Sequence, residues 1–187
     1  MSRVSHVPSS ALAPEIARVY NEFAGSYGPF RNQVAVFAHV PAAVKHIMGL
    51  LIELRAQRNI KRRHLELALV VTSKLNECRY CIGHHTKPLM VEGLSRTAID
   101  RLPALDIPEL DETDRLVIEY TIAVTNDAQR IPERMFDRLR QHFNTAQIVE
   151  LTLRIALCGF FNRFNDALQI DDELAEAEHG AESVAQI

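Results

Sequence analysis

Glycine, proline and cysteine are all scarce in this sequence, which has 7, 8 and 3 of them among its 187 residues. So few glycines and prolines exclude a collagen-like or linker-rich chain. The apolar share of 47% is typical of a globular protein, and a chain of this length can bury about 70% of its unfolded surface. We therefore expect a single domain over residues 1–170, followed by an acidic, mobile tail over residues 171–187.

The sequence also has no basic stripe and no long apolar run. The formal net charge is −3, so the positive surface expected of a nucleic-acid-binding protein is missing, and we expect no nucleic-acid partner. No apolar run approaches the length of a transmembrane helix, and the first residues contain no apolar core of signal-peptide length. The sequence therefore predicts a cytoplasmic protein with no membrane partner.

Two of the three cysteines, Cys78 and Cys81, are separated by only two residues. In a reducing compartment, such a pair is more typical of a reactive site than of a structural disulfide framework. The third, Cys158, lies between Leu157 and an aromatic segment that begins at Phe160. We expect Cys158 to be a small buried residue outside the site.

Apolar residues recur at spacings of three and four along nearly the whole chain, whereas no alternating pattern of useful length occurs. This periodicity predicts an all-α fold, a single-domain helical bundle. Capping residues and helix breakers then divide the pattern into separate helices. The predicted N-caps are Ser9 or Ser10, Ser95, Asp111 and Thr145, and the other predicted helices start near Pro41, residue 61, Glu77 and Pro132.

The helix predicted over residues 61–75 is apolar on nearly every side, which indicates a central position in the core. Asn76 is predicted to be the N-cap of the next helix, which starts at Glu77 and ends at Gly93. Pro88 lies inside that helix and is expected to kink it. The basic residues between positions 55 and 63 are expected to form a solvated loop.

Cys78, Cys81 and His85 follow one another at spacings of three and four, so they share one face of the predicted helix. A thiol attacks a peroxide or a disulfide as its thiolate, and an ordinary cysteine is only a few per cent ionised at neutral pH. A helix N-terminus stabilises an anion by only about 0.3–1 kcal/mol. We therefore expect His85 to accept the proton of Cys81, provided that a carboxylate or backbone group orients its ring.

Glu66, on the preceding predicted helix, is the candidate carboxylate. If it is buried among its apolar neighbours, it is suited to proton relay. Alternatively, Glu66 pairs with Arg62 or Arg63 on a solvated face of its own helix. The spacing of the residues leaves both interpretations open.

The sequence resembles the Glu to CxxCxxxH signature of alkyl hydroperoxidase D in Glu66, the segment LALVVTSKLNE, the Cys78–Cys81 pair and His85. The segments GLS at 93–95 and GFFNRFNDAL at 159–168 are similar to the carboxymuconolactone decarboxylase superfamily. The resemblance covers most of the chain. It implies an all-helical, AhpD-like subunit that assembles into homo-oligomers, such as trimers or hexamers.

The resemblance also implies a role for each site residue. Cys81 is expected to be the peroxidatic nucleophile, Cys78 to resolve the sulfenic acid into a disulfide, and Glu66 and His85 to form the proton relay. The implied function is a thiol-dependent hydroperoxidase of antioxidant defence, with a hydroperoxide substrate, a thiol or dithiol protein as reductant, and no cofactor or metal. The family's hydroperoxidase has a histidine where this chain has Tyr80.

Other functions stay open at this point. Cys78, Cys81, His84 and His85 offer zinc ligands, but four ligands crowded on one helix cannot all converge on a tetrahedron. A c-type haem requires histidine directly after the second cysteine, where this chain has Ile82. The remaining alternatives are a lyase or thiol–disulfide oxidoreductase acting on a small metabolite, and a non-enzymatic oligomer that senses redox state.

Four further polar residues lie near these elements. His84 is about 100° of helix away from the stripe that carries Cys81 and His85, so we expect it to line a pocket rather than to react. Asn162, Arg163 and Asn165 interrupt the aromatic face of the last predicted helix. We expect them to form hydrogen bonds between helices or between subunits, with contact to the substrate as the alternative.

Overall fold

A computed structural model describes residues 2–28 and 30–174. Within these ranges every regular element is helical, which confirms the predicted all-α fold. The described residues divide into two compact units, one formed by residues up to 57 with those from 165 onward, the other by residues 58–164. The boundary at residue 170 stays a prediction, and most of the predicted tail, residues 175–187, lies outside the described residues. No helix in the described ranges is long and apolar enough to cross a membrane.

The first unit contains four short α-helices: α1 (Pro14–Glu22), α2 (Arg31–Phe37), α3 (Pro41–Ala43) and α4 (Gly49–Gln57). π-helical turns at Phe23–Tyr27 and Val44–Met48 follow α1 and α3. The predicted start near Ser9 or Ser10 is wrong, because only a 3-10 turn forms there and α1 begins at Pro14. Proline is favoured at the first position of a helix because its fixed φ suits the helix. The N–H that proline lacks would have no partner within the helix at this position.

The second unit contains the longer helices, which are α5 (Arg62–Leu75), α6 (Arg79–Val91), α7 (Arg96–Arg101), α8 (Glu112–Asp127), α9 (Glu133–His142) and α10 (Thr145–Leu168) up to residue 164. α5 packs against both α6 and α8. Residues 66–73 of α5 are all buried, so the predicted central helix is confirmed. The main apolar cluster surrounds α5 and includes Leu67, Val70, Val71, Leu89, Leu116, Val117, Ile118, Leu151 and Ile155.

Side-chain caps fix the start of several of these helices. Ser95 accepts a hydrogen bond from the backbone N–H of Ala98 at the start of α7, as predicted. Asp111 and Asp114 form a reciprocal capping box at the start of α8, which confirms the predicted cap at Asp111.

The start of α10 differs from the prediction by one residue. Oδ1 of Asn144 accepts from the backbone N–H of Gln147, and Oε1 of Gln147 accepts from the backbone N–H of Asn144, both at 2.9 Å. Asn144 is therefore the N-cap, and the prediction of Thr145 was wrong. Asparagine and threonine are both good caps, so adjacent candidates cannot be separated by residue type alone.

Arg63 corrects the expectation of a solvated basic loop. Its guanidinium donates to both carboxylate oxygens of Asp114, with the shortest contact at 2.7 Å, and to the backbone carbonyls of Glu92 and Glu109. Asp114 is 0% exposed. The hydrogen bond to Asp114 raises the pKa of Arg63 above its ordinary value. Arg63 thus joins the start of α5 to the end of α6 and to the start of α8.

Candidate thiol site

The connection between α5 and α6 places the two cysteines. α5 ends with Asn76 as its C-cap, and α6 begins with Cys78 as its N-cap. The predicted N-cap at Asn76 is therefore wrong. Glu77 has a φ of 57°, in the left-handed region, so it turns the chain between the two helices instead of starting the second one.

Cys78 and Cys81 both lie at the N-terminal end of α6, as the sequence predicted. The backbone N–H of Cys78 donates to the carbonyl of Ser73 at 2.9 Å, which ties the start of α6 to the last turn of α5. Cys78 is 0% exposed and Cys81 is 3% exposed, and both are present as thiols. The site therefore offers two buried thiols in the first turn of one helix.

His85 lies one turn after Cys81 on α6, so the two residues share a face of that helix. Nδ1 of His85 lies 2.8 Å from Oε2 of Glu66 on α5. The carboxylate can only accept in this contact, so Nδ1 is the donor, and in a neutral ring Nε2 is the nitrogen that can accept a proton. The structure thus brings together an imidazole and the carboxylate that orients it, one helical turn after Cys81.

Glu66 makes both of the contacts that the sequence left open. Besides its contact with His85, its Oε1 lies 3.7 Å from Nε of Arg62, whose side chain is half exposed. Arg62 is also 3.7 Å from Glu92. Glu66 itself is only 8% exposed, so its carboxylate lies in the protein interior rather than on a solvated face.

Tyr80 and His84 form a separate pair on α6. Their rings stack with centroids 4.1 Å apart, and Nδ1 of His84 donates to the carbonyl of Tyr80 at 2.8 Å. Both side chains are buried. In the described part of the chain, the sulfur and nitrogen atoms of Cys78, Cys81, His84 and His85 do not come together as a metal-binding group.

The C-terminal half of α6 ends where the sequence predicted, whereas the kink at Pro88 stays a prediction. The helix continues through Pro88 to Val91. Gly93 has a φ of 96° and follows the end of the helix, as predicted for its terminator. A left-handed residue at this position lets the chain turn back and satisfies the last carbonyls of the helix.

Cys158 is buried on α10, as predicted, with Sγ 3.4 Å from Oγ of Ser73. Burial raises the pKa of this thiol from 9.0 to about 12. Cys158 therefore stays protonated at neutral pH and is a poor nucleophile.

Asn162 forms hydrogen bonds with residues at the end of α5, as the sequence predicted for a polar residue within an aromatic helix face. Its Oδ1 accepts from Nδ2 of Asn76 at 2.9 Å, and its Nδ2 donates to Oγ of Ser73 at 3.3 Å. Asn165 likewise accepts from Gln33, within the first unit. The sequence indicated that these amides were bonded, but it gave no signal for their partners, which are more than 80 positions away from Asn162.

No protein-family model matches the chain. The uncharacterized protein YdfG of Bacillus subtilis is 27% identical over 140 residues, which cover 73% of this chain and 94% of YdfG. A solved structure of a protein of unknown function from Agrobacterium tumefaciens is 26% identical, with a TM-score of 0.65 over 73% of this chain and 94% of that chain. Its suggested identity is the antioxidant defence protein AhpD.

Two other solved structures cover more of the chain at lower identity. An alkylhydroperoxidase AhpD core, an uncharacterized peroxidase-related protein from Ralstonia eutropha JMP134, is 20% identical with a TM-score of 0.78 over 92% of each chain. A cysteine-to-alanine variant of the debrominase Bmp8, in complex with 2,3,4-tribromopyrrole, is 18% identical with a TM-score of 0.74 over 97% of this chain and 99% of that one. The chain thus shares the fold of AhpD-like proteins over most of its length, and Glu66 and the Cys78–Cys81–His85 motif agree with the resemblance to the AhpD-like and carboxymuconolactone decarboxylase superfamily.

Proposed function

We propose that this protein is a thiol-dependent hydroperoxidase in which Cys78 and Cys81 form the redox pair. The observation that carries the proposal is the 2.8 Å contact between His85 and Glu66, one helical turn from Cys81. A nucleophilic thiol needs a base beside it, and the base needs a group that orients it. His85 and Glu66 supply both.

In the first step, Nε2 of His85 accepts the proton of Cys81, and the resulting thiolate attacks one peroxide oxygen. An S–O bond forms while the O–O bond breaks, and the leaving oxygen takes the proton from His85 to depart as water or alcohol. Cys81 is oxidised to a sulfenic acid, and the peroxide is reduced by two electrons. Glu66 keeps the ring oriented and stabilises its positive charge while the ring holds both protons.

In the second step, the Cys78 sulfur attacks the Cys81 sulfenic acid. An S–S bond forms, the S–O bond breaks, and the hydroxide leaves as water with the proton of Cys78. An external thiol or dithiol protein then reduces the disulfide and restores both thiols. The thiols supply both electrons, so this cycle needs no cofactor.

A second candidate uses the same pair to reduce a small electrophilic metabolite. Its support is the fold shared with the debrominase Bmp8 over nearly the whole chain. In such a reaction the carbon–halogen bond is replaced by a carbon–hydrogen bond, halide leaves, and the two thiols become a disulfide. This candidate differs from the first only in the bond that the thiol pair reduces.

The test is to add hydrogen peroxide or cumene hydroperoxide to the dithiol-reduced protein and to follow peroxide consumption together with free thiols. We expect the wild type to lose two thiols per subunit and to turn over with dithiothreitol. Cys81→Ser and His85→Ala should stop turnover. Cys158→Ala is the control for the thiol count: because this buried thiol is protonated, the variant should also lose two thiols per subunit with peroxide.

If the wild-type thiols survive excess peroxide, the hydroperoxidase function is wrong. Release of bromide from 2,3,4-tribromopyrrole with loss of the same two thiols would then favour the second candidate. If neither substrate oxidises the pair, both enzymatic functions fail.

We further propose that identical subunits assemble into trimers or hexamers. The support is a row of exposed apolar side chains on α10, formed by Val149, Leu153 and Phe160. Large apolar groups on one helix face are typical of protein–protein contacts. Light scattering on the purified protein should give three or six subunit masses, and a monomer at all concentrations would contradict the proposal.

A further inference from the structure

The buried amide of Asn162 connects α10 by hydrogen bonds to the turn between α5 and α6. Asn162 is 0% exposed. Its Oδ1 accepts from Asn76 and its Nδ2 donates to Ser73, so both ends of the amide are bonded. Without Ser73 the amide nitrogen would be unsatisfied away from water, and without Asn76 the amide oxygen would keep only the Sγ of Cys158, at 3.9 Å. Both losses are unfavourable, which favours a single side-chain position.

Both partners of Asn162 flank the turn that places Cys78. Ser73 accepts the backbone N–H of Cys78 with its carbonyl, at 2.9 Å, while its hydroxyl accepts from Asn162. Asn76 caps α5 and precedes Glu77, which holds the left-handed conformation. A left-handed φ is unfavourable for glutamate, so the surrounding contacts must hold the turn in place.

We infer that Asn162 and Asn76 are positioning residues for Cys78, and that their hydrogen bond holds the α5–α6 turn in the geometry that favours the Cys78–Cys81 disulfide. The inference rests on the redox pair of the proposed function, although not on a hydroperoxide as its substrate. Neither amide touches the His85–Glu66 contact, which lies elsewhere along α5 and α6. The two amides therefore act on closure of the disulfide rather than on proton transfer from Cys81.

The stability of a disulfide depends on how often its two thiols meet in a reactive geometry. A rigid turn raises this effective concentration, and a loose turn lowers it. If the Asn162–Asn76 bond is lost, Cys78 should sample positions from which it cannot reach Cys81. The oxidised form then becomes easier to reduce.

The experiment measures the equilibrium between the Cys78–Cys81 pair and mixtures of reduced and oxidised dithiothreitol. We would compare wild type, Asn162→Ala, Asn76→Ala and the control Thr152→Val. Thr152 also lies on α10, and its substitution removes two hydrogen bonds, one with the Tyr120 hydroxyl on α8, at 2.6 Å, and one to the Ile148 carbonyl, at 2.7 Å. We expect both asparagine variants to lower the equilibrium constant for disulfide formation about tenfold, which corresponds to about 30 mV toward less negative potential. Thr152→Val should stay within about twofold of wild type.

Folded asparagine variants with the wild-type potential would overturn the inference, and so would an equal shift in Thr152→Val. If Asn162→Ala does not fold, Asn76→Ala decides alone, because it removes the same bond from a half-buried residue. A potential shift in a protein that does not consume peroxide would refute the hydroperoxidase function while supporting the inference. Peroxide turnover together with unshifted potentials in the asparagine variants would support the hydroperoxidase function and refute the inference.

Discussion

Nδ1 of His85 lies 2.8 Å from Oε2 of Glu66, across the consecutive helices α6 and α5. A buried carboxylate at this nitrogen fixes both the tautomer and the orientation of the ring. In the proposed function, the other nitrogen of this ring accepts the proton of Cys81.

The charge of Glu66 should therefore matter more than its shape. We expect Glu66→Gln to slow the reaction of Cys81 with peroxide about 10–100-fold, because a neutral amide cannot stabilise the imidazolium. Stopped-flow measurement of thiol loss gives this rate. Arg62→Ala should change it less than about twofold, since Arg62 is half exposed and lies 3.7 Å from Glu66. Equal rates in wild type and Glu66→Gln would exclude a relay through Glu66.

The buried Arg63–Asp114 pair should stabilise the second unit. Asp114→Ala leaves Arg63 without its carboxylate and removes one half of the capping box of α8. We expect a loss of about 3 kcal/mol in the free energy of unfolding, measured with urea.

The exposed pair Arg96–Asp100, at 2.9 Å, provides the comparison for this variant. Asp100→Ala should lose less than about 1 kcal/mol, because water screens an exposed ion pair. Equal losses in Asp114→Ala and Asp100→Ala would contradict a special role for the buried pair.

Cys158 should make the protein less stable at alkaline pH. The pKa of its thiol is raised from 9.0 to about 12 by burial, so between these values the folded state holds a proton that the unfolded chain releases. The stability that this group contributes is complete below about pH 9 and is lost as the pH rises toward 12. Urea unfolding between about pH 8 and about pH 10.5 should show a smaller loss in Cys158→Ala than in wild type. Parallel pH profiles would show that the thiol ionises equally in both states.

Gly93 should resist substitution because of its backbone conformation. At a φ of 96°, a side chain is strained whatever the space around it, and we expect Gly93→Ala to lose about 1–2 kcal/mol. Gly49 has a φ of −58°, and no atom outside its own helix turn lies within 4 Å of the position that a Cβ would take. Gly49→Ala should therefore gain up to about 1 kcal/mol in thermal or urea unfolding. A gain at both positions would contradict the role of φ at Gly93.

Local patterns predicted much of the fold and part of the site. Helical periodicity indicated α5 as the central helix, and the spacing of Cys81 and His85 placed them on one face of α6. Ser95 and Asp111 were recognised as caps because each satisfies N–H groups within its own first turn. These features depend on interactions only three or four positions apart, which sequence patterns represent directly.

Contacts between distant residues could not be predicted in the same way. The sequence proposed two partners for Glu66 but could not decide between them, and the structure contains both. It gave no sign that Arg63 binds Asp114, 51 positions away. The wrong cap at Asn76 has a related cause: its side chain bonds to Asn162 on α10, and the adjacent Glu77 makes the turn.

The Glu66 carboxylate and the His85 imidazole are only 19 positions apart, and both thiols of the pair lie between them. All four proposed reacting groups therefore lie within one helix–turn–helix segment, α5 and α6. Contacts of such short sequence separation form without closing a long loop. Recombination that exchanges α5 and α6 between relatives would therefore transfer all four proposed reacting groups together. The amide of Asn162, on α10, would have to be supplied by the recipient.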